Sequence, residues 1–273
     1  MQGHSNFRTA IKKKQNGYIF CKTAKGTNFQ RLYNQCMKQE QYEKMIGKDY
    51  IGMIIEVPHV VGKKKTYNSF QFCMEYYNGK NILDIIESSD ILSLDAIIDN
   101  VFSFIEWEFD NCQKVRLDGT IFEKKIMELK PKLDGNIIPL VEELEKKKFK
   151  KEIIYINVCH GDLTFSNMIL SNKMVLFDFL DTYFESPLQD ISKILQEINL
   201  KWALQMSNPT DVTKINIGYS YLKDKANEKI GKIIKKYSIN PELLEMFYKM
   251  TLLRLFPYVR EKRIYDLILG EIK

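Results

Sequence analysis

Two stretches near the start of the chain, Phe7 to Lys13 and Tyr18 to Thr23, have strand-like composition. They flank Lys14-Gln15-Asn16-Gly17, whose Asn-Gly pair is a hairpin signal. The period then changes. Phe29, Leu32, Tyr33 and Cys36 fall on one face of a helix, which predicts a helix from Phe29 to Ile46. Gly52 to Val61 is apolar and β-rich, Lys63-Lys64-Lys65 with Asn68 predicts a turn, and Ser69 to Tyr77 returns as a strand. Asn78-Gly79 breaks the pattern.

Beyond that break the pattern is mostly helical. Ser93 is the expected cap of a helix carrying Leu94, Ile97, Ile98, Val101, Phe102 and Ile105. Thr120 and Glu123 have capping-box spacing ahead of Ile126 and Met127, and Asn136 to Phe149 is a further helical segment. Ile153 to Val158 has the composition of a buried strand, and Met168 to Leu170 with Met174 to Phe179 predicts a short hairpin. Helices resume near Asp190, and Asn240-Pro241 opens one bearing Leu243, Leu244, Phe247 and Leu255. There is no internal repeat and no low-complexity linker. These elements predict an α+β fold with a small β-rich lobe over 1–78 and a larger, mainly helical lobe over 79–273.

Composition narrows the class. A chain of 273 residues can bury a large core, and its apolar and charged fractions are those of an ordinary globular protein. The five cysteines are odd in number and scattered without a CxxC pair, which predicts reduced thiols and no zinc site. The net charge of +6 comes from scattered lysines and short runs, not from a basic stripe, so nucleic acid is not an expected partner. The N-terminus lacks the apolar core of a signal peptide, and no apolar run approaches the roughly 20 residues of a membrane-spanning helix. The expected location is the cytoplasm.

The chemistry concentrates in Cys159-His160-Gly161-Asp162-Leu163-Thr164-Phe165-Ser166-Asn167 and the following Leu176-Phe177-Asp178-Phe179. Phosphoryl transfer asks a protein mainly for position and charge. A carboxylate must sit by the acceptor hydroxyl, and oxygen ligands must hold magnesium. Asp162, on the loop after a strand, meets the first demand, and Asn167 and Asp178 meet the second. His160 is an orienting residue for the loop.

This pattern resembles the aminoglycoside phosphotransferase and choline kinase superfamily, whose catalytic segment is H-G-D-x-x-x-x-N followed by a hairpin ending in an I-D-F-like triplet. The resemblance implies a protein-kinase-like fold, ATP or GTP with Mg2+ as cofactors, and a small-molecule hydroxyl as acceptor. Asp190-Ile191-Ser192 matches the family's helix-opening Asp, implying that Asp190 braces the catalytic loop. Gly3-His4-Ser5-Asn6 is the candidate phosphate loop, with the Ser5 and Asn6 amides toward the phosphates. The chain begins almost at this loop, so the nucleotide lobe is expected to be thin there. Lys22 is the candidate phosphate lysine. It lies in an apolar strand, where an unpaired charge is costly, so a carboxylate partner is expected. Glu40 is preferred for it over Glu43. Glu75, Tyr76 and Tyr77 correspond to the inter-lobe hinge that offers backbone groups to the nucleotide base.

For the acceptor, Asp181, Tyr183, Phe184 and Glu185 follow the metal Asp, and Trp202, Arg254 and Arg260 are further candidates. Thr164-Phe165-Ser166 and Asp190 to Leu195 are similar to kinase-like proteins associated with bacterial surface-polysaccharide assembly, which implies a sugar or sugar-like acceptor. A choline or ethanolamine kinase, an aminoglycoside kinase and a non-catalytic nucleotide-binding pseudokinase are the alternatives.

Overall fold

The computed structural model describes residues 7–15, 17–88, 91–147, 149, 152–207 and 211–273. The candidate phosphate loop, Gly3 to Asn6, lies outside them. Two compact units result. The first comprises Met1–Ile82 and Ser166–Asp181, the second Leu83–Phe165 and Thr182–Lys273. The hairpin that carries Asp178 therefore groups with the N-terminal part of the chain.

In the first unit, β1 (Arg8–Lys14) and β2 (Gly17–Lys25) form the expected hairpin, and α1 (Phe29–Ile46) follows. Next come β3 (Ile55–Glu56), β4 (Val60–Lys65) and β5 (Ser69–Glu75). The antiparallel sheet has the order β1-β2-β5-β4. Its core is Ala24, Phe70, Phe72 and Met74 from the strands against Leu32 and Cys36 of α1, with Val60 at the margin. Burial of these apolar side chains is what holds the helix to the sheet. The expected β-rich run over Gly52 to Val61 is shorter in fact, since Tyr50–Met53 is a 3-10 turn.

One expectation is corrected here. Cys21 of β2 and Cys73 of β5 are joined by a disulfide. They lie 52 residues apart in sequence, which hid the pairing, but the antiparallel register sets them directly opposite with Cα atoms 4.1 Å apart. Closing a loop of this length contributes about 4 kcal/mol in the chain-entropy treatment. Thiol titration of the native protein without reductant is thus expected to find three thiols, Cys36, Cys112 and Cys159. Reductant should lower the melting temperature, whereas a titration of five with no reductant effect would remove the bond.

The second unit is mainly helical. In chain order it holds α2 (Ile82–Glu87, from Leu83 onward), α3 (Ile91–Asn111), β6 (Gln113–Arg116), α4 (Thr120–Leu129), α5 (Ile138–Lys146) and β7 (Ile153–Ile156). Then follow β8 (Met168–Leu170) and β9 (Met174–Leu176), which belong to the first unit, and α6 (Pro187–Leu200) and α7 (Trp202–Gln205) of the second. The chain ends with α8 (Val212–Tyr237), α9 (Pro241–Leu253) and α10 (Lys262–Ile272). Phe102, Phe104, Trp107 and Phe109 of α3 are fully buried, as are Ile191, Ile194 and Ile198 of α6 and Phe247 of α9. Among the described residues, no helix is long and apolar enough to cross a membrane.

Two helix starts differ from expectation and a third agrees with it. Ser93 lies inside α3, which begins at Ile91. Thr120 is the first residue of α4, and Asp118 does the capping, its Oδ1 accepting from the Thr120 N–H at 3.1 Å. Asn240 caps α9 by accepting from the Glu242 N–H at 3.0 Å.

Candidate active site

In the second unit, β7 leads into the loop that holds His160 and Asp162. The loop hangs from one face of α6. That helix starts cleanly because Ser186 accepts from the Leu188 N–H at 3.3 Å and Pro187 needs no donor at the first position. Asp190, fully buried, accepts from the backbone N–H of His160 at 2.5 Å and of Gly161 at 2.8 Å. Both bonds are charge-assisted. Gly161 has φ +89°, a conformation that favours glycine. His160 is fully buried, and its Nδ1 accepts from the Asp162 N–H at 3.2 Å. The ring thus holds the backbone on which Asp162 stands, and Nδ1 is its unprotonated nitrogen.

Two further α6 residues meet this loop, and neither is evident from the sequence. Lys193 Nζ lies 3.0 Å from Asp162 Oδ1. Glu197, fully buried, accepts from the Phe165 N–H at 3.1 Å, the Ala203 N–H at 2.8 Å and the Tyr219 hydroxyl at 2.9 Å. Spacing was the available signal, because Asp190, Lys193 and Glu197 stand at i, i+3 and i+7 on one helical face.

Burial pushes the Glu197 carboxyl up to about 7, against the three donors that favour its charged form. Asp162 and Tyr219 are the titratable groups facing it. The native state then holds a proton between pH 4.5 and 7 that the unfolded chain has released. Stability therefore falls as pH rises across that window, by an amount on the order of 3 kcal/mol from this group. Glu197→Gln, which does not titrate, is expected to lose this slope. Melting curves of the two proteins from pH 5 to pH 8 should converge or cross, and parallel curves would refute the assignment.

In the first unit, Lys22 of β2 is buried, as expected for the phosphate lysine, but its partners are not the expected ones. It forms an ion pair with Asp178 and donates to Gln35 Oε1 at 3.5 Å. Glu40 instead pairs with Lys63, at 2.7 and 2.9 Å, and Glu43 with His59 at 2.7 Å. The reason is helical phase. Leu32, Gln35, Cys36, Gln39, Tyr42 and Ile46 form the buried face of α1, and Glu40 and Glu43 stand to its side, toward β4 and the segment before it. Burial pulls the Lys22 ammonium down to about 7, with Arg31 acting in the same direction. The Asp178 carboxylate in direct contact acts in the opposite direction.

The hairpin β8–β9 sets Asn167 and Asp178 at its open end. The Asn167 carbonyl accepts from the Phe177 N–H at 3.2 Å, and β3 pairs with β9 in parallel. A Cβ at Gly79 would meet the Leu170 carbonyl at 2.3 Å, so only glycine allows the approach at which Lys80 and Leu170 pair. Asp178 has φ +64°, a region that Asp and Asn occupy more readily than most residues. The chain after it is pinned to α1. Lys38 donates to the Leu180 carbonyl at 2.7 Å, Asn34 to Asp181 at 2.7 Å, and Phe179 packs on Tyr42 with ring centroids 4.6 Å apart.

The weaker candidates have structural contacts. Glu185 accepts from the Thr182 N–H at 2.6 Å and the Cys159 thiol at 3.2 Å, and its carbonyl accepts from the Asn157 N–H at 2.9 Å. Tyr183 packs among Phe122 and Phe247, with the Arg254 guanidinium 5.4 Å from its ring centroid. In the expected hinge, the Glu75 N–H donates to the His59 carbonyl at 3.0 Å and the Tyr76 N–H to the Tyr18 carbonyl at 3.3 Å, so both donors are used within the sheet region. The Tyr77 hydroxyl donates to Glu56 at 2.7 Å. Trp202 opens α7, and Arg260 is exposed.

No protein-family model matches the chain, and no curated protein matches it. Solved structures do. A protein assigned as a fructosamine-3-kinase from Haemophilus somnus 129PT aligns with a TM-score of 0.51 at 14% identity, covering 100% of this chain and 90% of that one. An aminoglycoside phosphotransferase from Streptomyces rimosus ATCC10970 aligns with a TM-score of 0.51 at 13% identity, covering 93% of each chain. A second structure of that enzyme, in complex with ADP and streptomycin, aligns with a TM-score of 0.50 at 14% identity. At such identities the likeness is one of fold. The chain has the two-part α+β fold of these solved kinase structures.

Proposed function

We propose that the chain is a magnesium-dependent phosphotransferase that moves the γ-phosphoryl group of ATP to a hydroxyl of a small molecule. The Asp162 loop carries this assignment. Two buried carboxylates of α6 hold its backbone at residues 160, 161 and 165, and a buried histidine holds it at 162. Such support fixes one carboxylate in place, as a group that receives or orients a hydroxyl proton requires.

The donor set fits magnesium and a nucleotide. Asn167 and Asp178 share the open end of one hairpin and offer oxygen, the ligand type that magnesium prefers. Bound Mg-ATP would supply the transferable group and neutralise part of its charge. Lys22 would meet phosphate oxygens, as its buried positive charge suits. Asp162 would align the acceptor hydroxyl, and His160 would hold Asp162. The names of the structural neighbours and the short likeness to surface-polysaccharide kinases favour a sugar or sugar-like acceptor.

The test is nucleotide consumption with magnesium against panels of sugars, amino alcohols and aminoglycosides. Turnover with at least one hydroxyl acceptor is expected. No turnover with any panel, together with no magnesium-dependent nucleotide binding, would overturn the proposal.

A further inference from the structure

We propose that Lys193 is a positioning residue for Asp162, fixing the direction of its carboxylate for phosphoryl transfer; this rests on the phosphotransferase reading above. The Lys193 ammonium is held at two points. It lies 3.0 Å from Asp162 Oδ1 and donates to Gln196 Oε1 at 3.1 Å. Gln196 is itself buried, so the second anchor does not wander.

An exposed ion pair of this kind would contribute little, because water competes and two long side chains must be ordered. This pair is different. The Lys193 side chain is only 12% exposed and that of Asp162 26%. Its position within a pattern matters more. Along one face of α6, Asp190, Lys193 and Glu197 alternate in sign. They engage the loop in its own order, at His160 and Gly161, at Asp162, and at Phe165. The two acids take backbone N–H groups and so fix the loop. The lysine takes a side chain, and that side chain is the proposed catalytic carboxylate. A contact to Oδ1 fixes the rotation of the carboxylate plane, and with it the direction of Oδ2. Small misplacements of a reacting group cost up to about 10²-fold in rate.

Lys193→Met and Lys193→Arg, each alone and with Asp162→Asn, test this. Lys193→Met is expected to lower kcat about 10- to 100-fold. The KM for the nucleotide should stay within about threefold, since uniform binding is untouched. Lys193→Arg should recover most of the loss, because it restores a cation at the same carboxylate. In the Asp162→Asn background Lys193→Met should have no further effect on kcat, because its target is gone.

A Lys193→Met enzyme within about threefold of wild-type kcat, or independent and multiplicative effects of the two substitutions, would overturn the proposal while leaving phosphotransfer standing. If the wild-type protein turns over no acceptor, the phosphotransferase reading falls. Melting temperatures of wild type, Lys193→Met, Asp162→Asn and the double variant then judge the pairing separately, and additive shifts there overturn it too.

Discussion

Asp162→Asn is expected to lower kcat by about 10²- to 10⁴-fold with the acceptor and Mg-ATP at saturation, the range that a positioned proton-handling group supplies. Asn keeps the size of the side chain and the backbone N–H that donates to His160 Nδ1 at 3.2 Å. The loop should therefore keep its shape, since Asp190 and Glu197 hold it through backbone groups that this substitution does not touch. Mg-ATP affinity, measured by calorimetry, should change only a few-fold, because Lys22, Asn167 and Asp178 are unaltered. Lys193 loses its carboxylate partner but keeps Gln196, so a small fall in melting temperature is consistent. The separation of a large kcat loss from a small affinity change is the signature of an interaction made at the reacting centre. A kcat within about threefold of wild type would show that Asp162 takes no part in the chemistry.

Local motifs showed in the sequence, and lateral partners did not. The extent of α1, Phe29–Ile46, followed from its apolar period. So did the cap at Asn240, where a side-chain acceptor precedes a proline. The loop from His160 to Asn167 stood out because its residue types and spacing match one kind of chemistry. Glu40 was misassigned because one position along a helix turns a side chain by about 100°, enough to move it from the Lys22 side to Lys63. The Cys21–Cys73 bond depends on strand register, which is set by a hairpin and by a second pairing far along the chain. Lys193 carried only its spacing from Asp190 and Glu197 in a linear reading, and a lysine on an amphipathic helix is usually solvated. Its role emerges only when α6 is seen to offer three charges in the order in which the loop receives them.

Asp178→Asn is expected to destabilise the ligand-free protein by about 3 kcal/mol, the lower end for breaking a buried ion pair. The lower end applies because the Asp178 side chain is 30% exposed, whereas that of Lys22 is 5% exposed. Asn was chosen because Asp178 has φ +64°, which Asn tolerates, so backbone strain adds little. What remains is a buried ammonium whose neighbours are Gln35, at 3.5 Å, and the repelling Arg31. Lys22→Met alone should cost less, because Asp178 keeps access to water. The double variant Lys22→Met with Asp178→Asn should be more stable than Asp178→Asn, since it removes the stranded charge and fills its space with an apolar side chain. Urea denaturation of the four proteins measures these differences directly. If Asp178→Asn unfolds at the wild-type midpoint, or if the double variant is no better than the single, the Lys22–Asp178 pair does not organise this part of the first unit. The order of stabilities separates a charge effect from simple loss of packing, which would make the double variant the least stable of the four.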